Sequence, residues 1–320
     1  MNSQIPNPAQ PAAPTPAVPA AKRPGGWAAA LTIIVGSAAL VALLVAGIWT
    51  GAERSAAEAF DETVEAAAAE QVTIQLDVGQ LEVVFGGGDT ARLESAGRWP
   101  GGSPLTMVHD GSALVIETQR NRSWFGIGNT DLRATLHLPS RLEGVVEIDA
   151  EVDVGELIVR GDVARLHAEL DVGDLTLEGS VAAATLQVGL GRATLEGGGG
   201  AIEASTDAGE LRLFGDFDEL RTRAEVGTIV LDGTLRAMLA VEVAVGDATV
   251  ALRDTLPARA ELHADLGSIS VAMPDEPFQL AAAASIRDAA EAEGFDIDGG
   301  AAAPEFIASA GVGDVSFDIR

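Results

Sequence analysis

The chain has 320 residues, with 48 acidic residues against 20 basic ones, a formal charge of −28, and no cysteine. So acidic a surface repels nucleic acid and anionic headgroups, so neither is expected as a partner. Without cysteine, a disulfide scaffold and thiolate metal sites are excluded.

Residues 1–26 hold seven prolines and no acidic residue, a composition that cannot bury a core and predicts a disordered Pro/Ala-rich tail. Lys22 and Arg23 close it, and no charge follows from Pro24 to Ala52. Within that stretch residues 27–49 are 23 apolar or small residues with Trp27 and Trp49 at the two ends. At about 1.5 Å per residue this length crosses a hydrocarbon core of about 30 Å, and tryptophans favour the interfaces. A cleaved signal peptide carries a shorter apolar region, so a retained transmembrane helix is expected. The basic pair lies before the span, and Glu53, Glu58, Asp61 and Glu62 follow it. The tail is therefore expected in the cytoplasm and residues 50–320 outside the plasma membrane. Setting Lys22 and Arg23 aside leaves 18 basic residues against 48 acidic ones, a formal −30 for the exported part. Residues 50–71, rich in Ala and Glu, predict a helical stalk.

From residue 72 onward a period dominates. Gly155, Gly173, Gly191, Gly209 and Gly227 are each 18 apart, and Gly246 and Gly267 continue at 19 and 21. Gly161, Gly179, Gly197, Gly215 and Gly233 form a second ladder of the same period. In each unit apolar and polar residues alternate, as in Leu166, Ala168, Leu170 and Val172. The phase slips by one at Gly173 before Leu175 and Leu177 resume the apolar face. Alternation of two means strand with one buried face, and a phase slip at glycine means a corner. Burying about six side chains per unit stabilises by roughly 10–15 kcal/mol. Ordering a whole unit costs at least as much, at about 1–2 kcal/mol per residue, so a unit needs neighbours. The fold expected is all-β: a right-handed parallel β-solenoid of 18-residue coils over residues 72–320. An antiparallel sandwich is the competing architecture.

Chemistry is sparse. His109, His137, His167 and His263 are scattered, and no hydrolase, phosphate-loop or zinc spacing occurs. No catalytic residue and no enzyme are expected. Carboxylates flank the corners: Asp153 and Glu156 at Gly155, Asp171 and Asp174 at Gly173, Asp207 and Glu210 at Gly209. Stacked at about 4.8 Å they repel. Calcium relieves such repulsion through oxygen ligands, so these six are candidate calcium ligands, with solvated corners the stronger expectation. Arg192, Thr228 and Ser268 interrupt the columns. No other cofactor is expected. Trp99, Trp124 and Phe125, beside Arg98, Arg120 and Arg122, form the one aromatic and locally basic region. They are candidates for contact with an envelope protein or cell-wall glycan, or for capping the end of the stack.

Residues 131–161, with Leu138-Pro139 at the entry, the recurrent VG-x-L/I-x-L/V-x-G unit and the closing GVGDVSFDI, resemble the bacterial β-strand-repeat "putative adhesin" family, whose function is unknown. The resemblance covers residues 72–320 and brings no catalytic residue with it. It implies an envelope protein tied to a single membrane span, and related domains occur in envelope-stress proteins of the Lia type. The 19- and 21-residue units and the Ala-rich insertion at 281–294 depart from the pattern. Three functions stay open: a surface binding or adhesin-like module, an accessory of envelope-stress signalling, and a self-assembling envelope scaffold.

Overall fold

The computed structural model describes residues 58–99, 103–118, 131–283, 285–287, 290, 293–300 and 302–320, all within one unit, Ile48–Arg320. The tail, the apolar span and the first part of the expected stalk lie outside these residues. No helix among the described residues is long and apolar enough to cross a membrane.

The described chain is nearly all β, as the alternation predicts. One expectation is corrected at once: the helical stalk is in part a strand, β1 (Glu58–Ala67). It runs antiparallel to β3 (Thr90–Trp99), from Glu58 opposite Trp99 to Ala67 opposite Thr90. Phe60, Val64 and Ala66 alternate with exposed acids and pack against the core. Helix preference in Ala and Glu is worth only a few tenths of a kcal/mol per residue. A paired edge with a half-buried apolar face outweighs it.

β2 (Gln71–Gly86) is the first strand of the stack. On one side its two halves are covered by β5 (Ala113–Thr118) and β6 (Asp131–Pro139), both parallel to it. β4 (Leu105–Asp110) pairs antiparallel with β5, and β3 pairs antiparallel with β6. These antiparallel additions close the N-terminal end. On its other side β2 pairs in parallel with β7 (Glu147–Arg160), Gly79 opposite Gly155. β7 in turn pairs in parallel with the start of β8 (Val163–Leu252), Gly155 opposite Gly173, at an offset of 18.

β8 is 90 residues of extended backbone, too long for one straight strand. It returns upon itself at the glycines. Building a Cβ on Gly191 brings it 1.8 Å from Gly173 O, and one on Gly227 comes 1.9 Å from Gly209 O. Each corner thus sits against the corner one unit earlier. Beyond β8, β9 (Arg259–Leu266) and β10 (Ile269–Met273) pair with its last unit, and β12 (Glu305–Val312) and β13 (Val315–Ile319) pair with β9 and β10, all in parallel.

Inward positions form one continuous aliphatic core: Ile148, Ala150 and Val152, then Leu166, Ala168 and Leu170, and so on to Leu262 and Ala264, all buried. The insertion after β10 contributes β11 (Gln279–Ala282), which pairs with Glu305–Ala308 of β12. It also brings Phe278 against Phe306 at 4.9 Å, Phe295 at 5.7 Å and Phe317 at 5.8 Å between ring centres. That aromatic cluster covers the C-terminal end of the aliphatic core.

Candidate functional site

Gly173 has φ +146°, a conformation open to glycine, and a Cβ there would lie 1.7 Å from Gly155 O. Gly209 shares the crowding, at 1.8 Å from Gly191 O, but not the left-handed backbone. The seven glycines singled out at 155, 173, 191, 209, 227, 246 and 267 all stand in this one column. Successive glycines of the column therefore pack backbone to backbone, and the β7–β8 register sets residues 18 apart side by side.

The acidic candidates fall in two such columns. Glu156 lies directly opposite Asp174 in the β7–β8 register, and the neighbouring register sets Asp153 beside Asp171. The first column is broken where expected. Arg192 follows Asp174 and donates through Nε to Glu210 at 3.0 Å, while Arg212 reaches the same carboxylate at 2.8 Å. The Arg212 guanidinium, opposed by burial and aided by Arg192, holds the Glu210 carboxyl below its ordinary value. Glu210 is thus committed to arginine. Asp207 is exposed. Among the described residues no group of three or more His, Asp or Glu side chains is arranged to hold a metal ion.

Cross-unit ion pairs are the feature that motif reading missed. Arg165 meets Glu147 at 3.1 Å, Arg160 meets Glu178 at 3.1 Å, Arg236 meets Asp218 at 2.9 Å and Arg223 meets Glu242 at 2.8 Å. Arg160 also bonds Glu82. Adding one period to each arginine number, or subtracting it, finds most of these partners in the sequence. Exposed pairs contribute little each, about 0–1 kcal/mol, but they fix which side chains stand free on the faces. A shallow groove of mixed charge results, lined by Gln187, Glu203, Arg221, Arg223, Glu242 and His263.

His263 is engaged at both ring nitrogens. Its Nδ1 lies 2.7 Å from Ser309 Oγ and its Nε2 2.9 Å from Asp265 Oδ1. Serine, histidine and aspartate are the types of a nucleophilic relay. Here they stand on an exposed sheet face, with the histidine side chain 47% exposed. Of the aromatic candidates, Trp99 is half-buried at the end of β3 opposite Glu58. Trp124, Phe125, Arg120 and Arg122 lie outside the described residues.

No protein-family model matches the sequence, and no curated protein matches it. Among solved structures the chain is similar to a putative adhesin from Bacteroides fragilis NCTC 9343, at 11% identity and TM-score 0.36, over 80% of this chain and 96% of that one. A putative lipid binding protein from Parabacteroides distasonis ATCC 8503 gives 13% identity and TM-score 0.36, over 81% and 96%. A putative cell adhesion protein from Clostridium sporogenes ATCC 15579 gives 13% identity and TM-score 0.21, over 81% and 100%. All three likenesses combine low identity with a low TM-score.

Proposed function

We propose that residues 72–320, apart from the antiparallel strands β3 and β4 and the insertion that carries β11, wind as a right-handed parallel β-solenoid of 18-residue coils, held outside the plasma membrane by the span at 27–49, and serve as a non-enzymatic surface binding module. The observation that carries this reading is the parallel register shared by β2, β7 and the start of β8. Gly79, Gly155 and Gly173 are paired in β2, β7 and β8, and the later corners repeat that contact at every period. A chain returning to the same corner every 18 residues presents flat outer faces on which side chains recur about every 4.8 Å. Such faces suit an extended ligand: a glycan strand of the wall or a segment of another envelope protein. Right-handed winding follows from the crossover preference of parallel strands. The uncharged stretch from Pro24 to Ala52 after Lys22 and Arg23 supports the anchor and its orientation.

Topology and binding are tested together on intact cells. Protease added to protoplasts is expected to digest the region after Ala52 and to spare the proline-rich tail; protection of residues 72–320 would overturn the orientation. A photo-crosslinker placed at outward Glu169 or Arg223 is expected to capture an envelope component, with capture reduced by Arg221→Glu on the neighbouring groove. Recovery of the uncrosslinked chain alone from both positions would overturn the binding role.

A further inference from the structure

The two ends of the stack are unlike. At the N-terminal end the outer strand β1 carries Glu58, Asp61, Glu62 and Glu65 within ten residues. Pairing such an edge with its own copy sets carboxylate against carboxylate, a standard way to keep an edge unpaired. At the C-terminal end β11 covers β12 only from Glu305 to Ala308. Beyond it, β13 pairs with β10 and with no other strand among the described residues. Ile269 N–H donates to Asp314 O, and Arg320 N–H donates to Met273 O, both at 2.9 Å. The even-numbered residues of β13 therefore face β10. Val315, Phe317 and Ile319 turn their N–H and C=O groups to the open edge.

We infer that this edge pairs with the same edge of a second copy of the chain, antiparallel about a two-fold axis at Phe317. Three independent features agree on that register. Residues whose backbone groups face outward must meet each other, and pairing about Phe317 sets Val315 opposite Ile319 of the second copy and Phe317 opposite its own copy. Six backbone hydrogen bonds form in this way. On the outer face, Ser316 meets Asp318, a hydroxyl against a carboxylate. Beyond them Asp314 meets Arg320, so opposite charges stand across the axis twice. Pairing about Ser316 or Asp318 instead faces aspartate with aspartate and turns bonded backbone groups outward. A self-complementary patch of this kind is what a closed two-fold dimer requires.

Little has to move in the single chain. Phe317 is 1% exposed and stays in the aromatic cluster, contributing only backbone. Ile319, 47% exposed, loses water contact on pairing. Arg320 bonds Asp232 at 3.0 Å, but that carboxylate keeps Arg253 at 2.7 Å when Arg320 turns to Asp314 of the second copy. The Asp314 side chain has no partner among the described residues. The inference stands apart from the binding role, since it uses neither Glu169 nor the groove at Arg221 and Arg223.

Sedimentation velocity of the full chain in detergent provides the test. The wild type is expected to form a dimer whose dissociation constant rises at least about tenfold in Asp314→Arg and in Arg320→Asp, each of which puts like charges across the axis. An equimolar mixture of the two variants restores complementary pairs at both positions and is expected to dimerise as the wild type does. Ile319→Pro removes one outward N–H without touching the bonds to β10, and is expected to weaken the dimer as well. A wild type that stays monomeric at about 100 µM overturns the inference. So does a dimer indifferent to all three substitutions, or a mixture that fails to recover association.

Discussion

Replacing Gly173 with alanine isolates the contact on which the stack depends. The new Cβ would lie 1.7 Å from Gly155 O, where carbon and oxygen ordinarily approach to little less than about 3.2 Å. The corners must therefore part by about 1.5 Å, which is enough to break the nearest one or two hydrogen bonds between β7 and β8, at about 1 kcal/mol each. The backbone at φ +146° adds about 1–3 kcal/mol of strain for any side chain. The expected loss is about 2–5 kcal/mol in chemical denaturation. Glu169→Ala, on the outer face nearby, is expected to stay within about 0.5 kcal/mol. Gly209→Ala separates the two causes, because its Cβ meets Gly191 O at 1.8 Å without a left-handed backbone. It should cost about 1–2 kcal/mol, the part due to broken hydrogen bonds. Equal midpoints for Gly173→Ala and Glu169→Ala would refute the stacked-corner reasoning. A neutral Gly209→Ala would leave only the strain.

Thr206 is 2% exposed and its Oγ1 has no hydrogen-bond partner among the described residues, so Thr206→Val is expected to stabilise by about 1–2 kcal/mol in thermal melts. Thr222 donates to Ala240 O at 3.2 Å, and Thr222→Val should bring no such gain; a larger gain there would contradict the assignment. Arginine lowers the Glu210 carboxyl below its ordinary pKa, so its stabilisation is full above that ordinary value and fades as pH falls through the lowered one. The melting difference between wild type and Glu210→Gln should therefore shrink below about pH 4, and a difference that grows on acidification would reverse the sign. At the acidic corners, Ca²⁺ and NaCl at matched ionic strength are expected to raise the melting temperature equally, by screening. A calcium-specific rise abolished by Asp171→Asn with Asp174→Asn would instead make the corners a cation site.

The repeat was legible because two physical signals coincide on the same residues. Alternation in Leu166, Ala168 and Leu170 marks the inner face, and the slip at Gly173 marks the corner, so period and burial could both be read along β7 and β8. β1 was not legible: the partner that makes its residues extended, Thr90–Trp99, lies some thirty residues away, and locally Ala and Glu favour helix. The arginine ladder was legible in principle, since Arg192 to Glu210 and Arg160 to Glu178 each span one period. The approach of His263 to Ser309 spans 46 residues across the insertion, and no period announces it. Corner carboxylates drew attention because they flank glycines, yet the structure shows Glu210 held by arginine rather than gathered with other acids.

The spacing of the paired corners also bears on the order in which the chain folds. Gly155 and Gly173 are separated by 18 residues, whereas Gly79 and Gly155 are separated by 76. Closing the longer loop costs about 1.3 kcal/mol more in chain entropy, before strain in the intervening antiparallel strands is counted. Units within β8 can thus condense on nearest neighbours early, while β2 docks late and only after β3 to β6 have turned back. Growth from the middle leaves the N-terminal layers as the last gained on folding and the first released under stress.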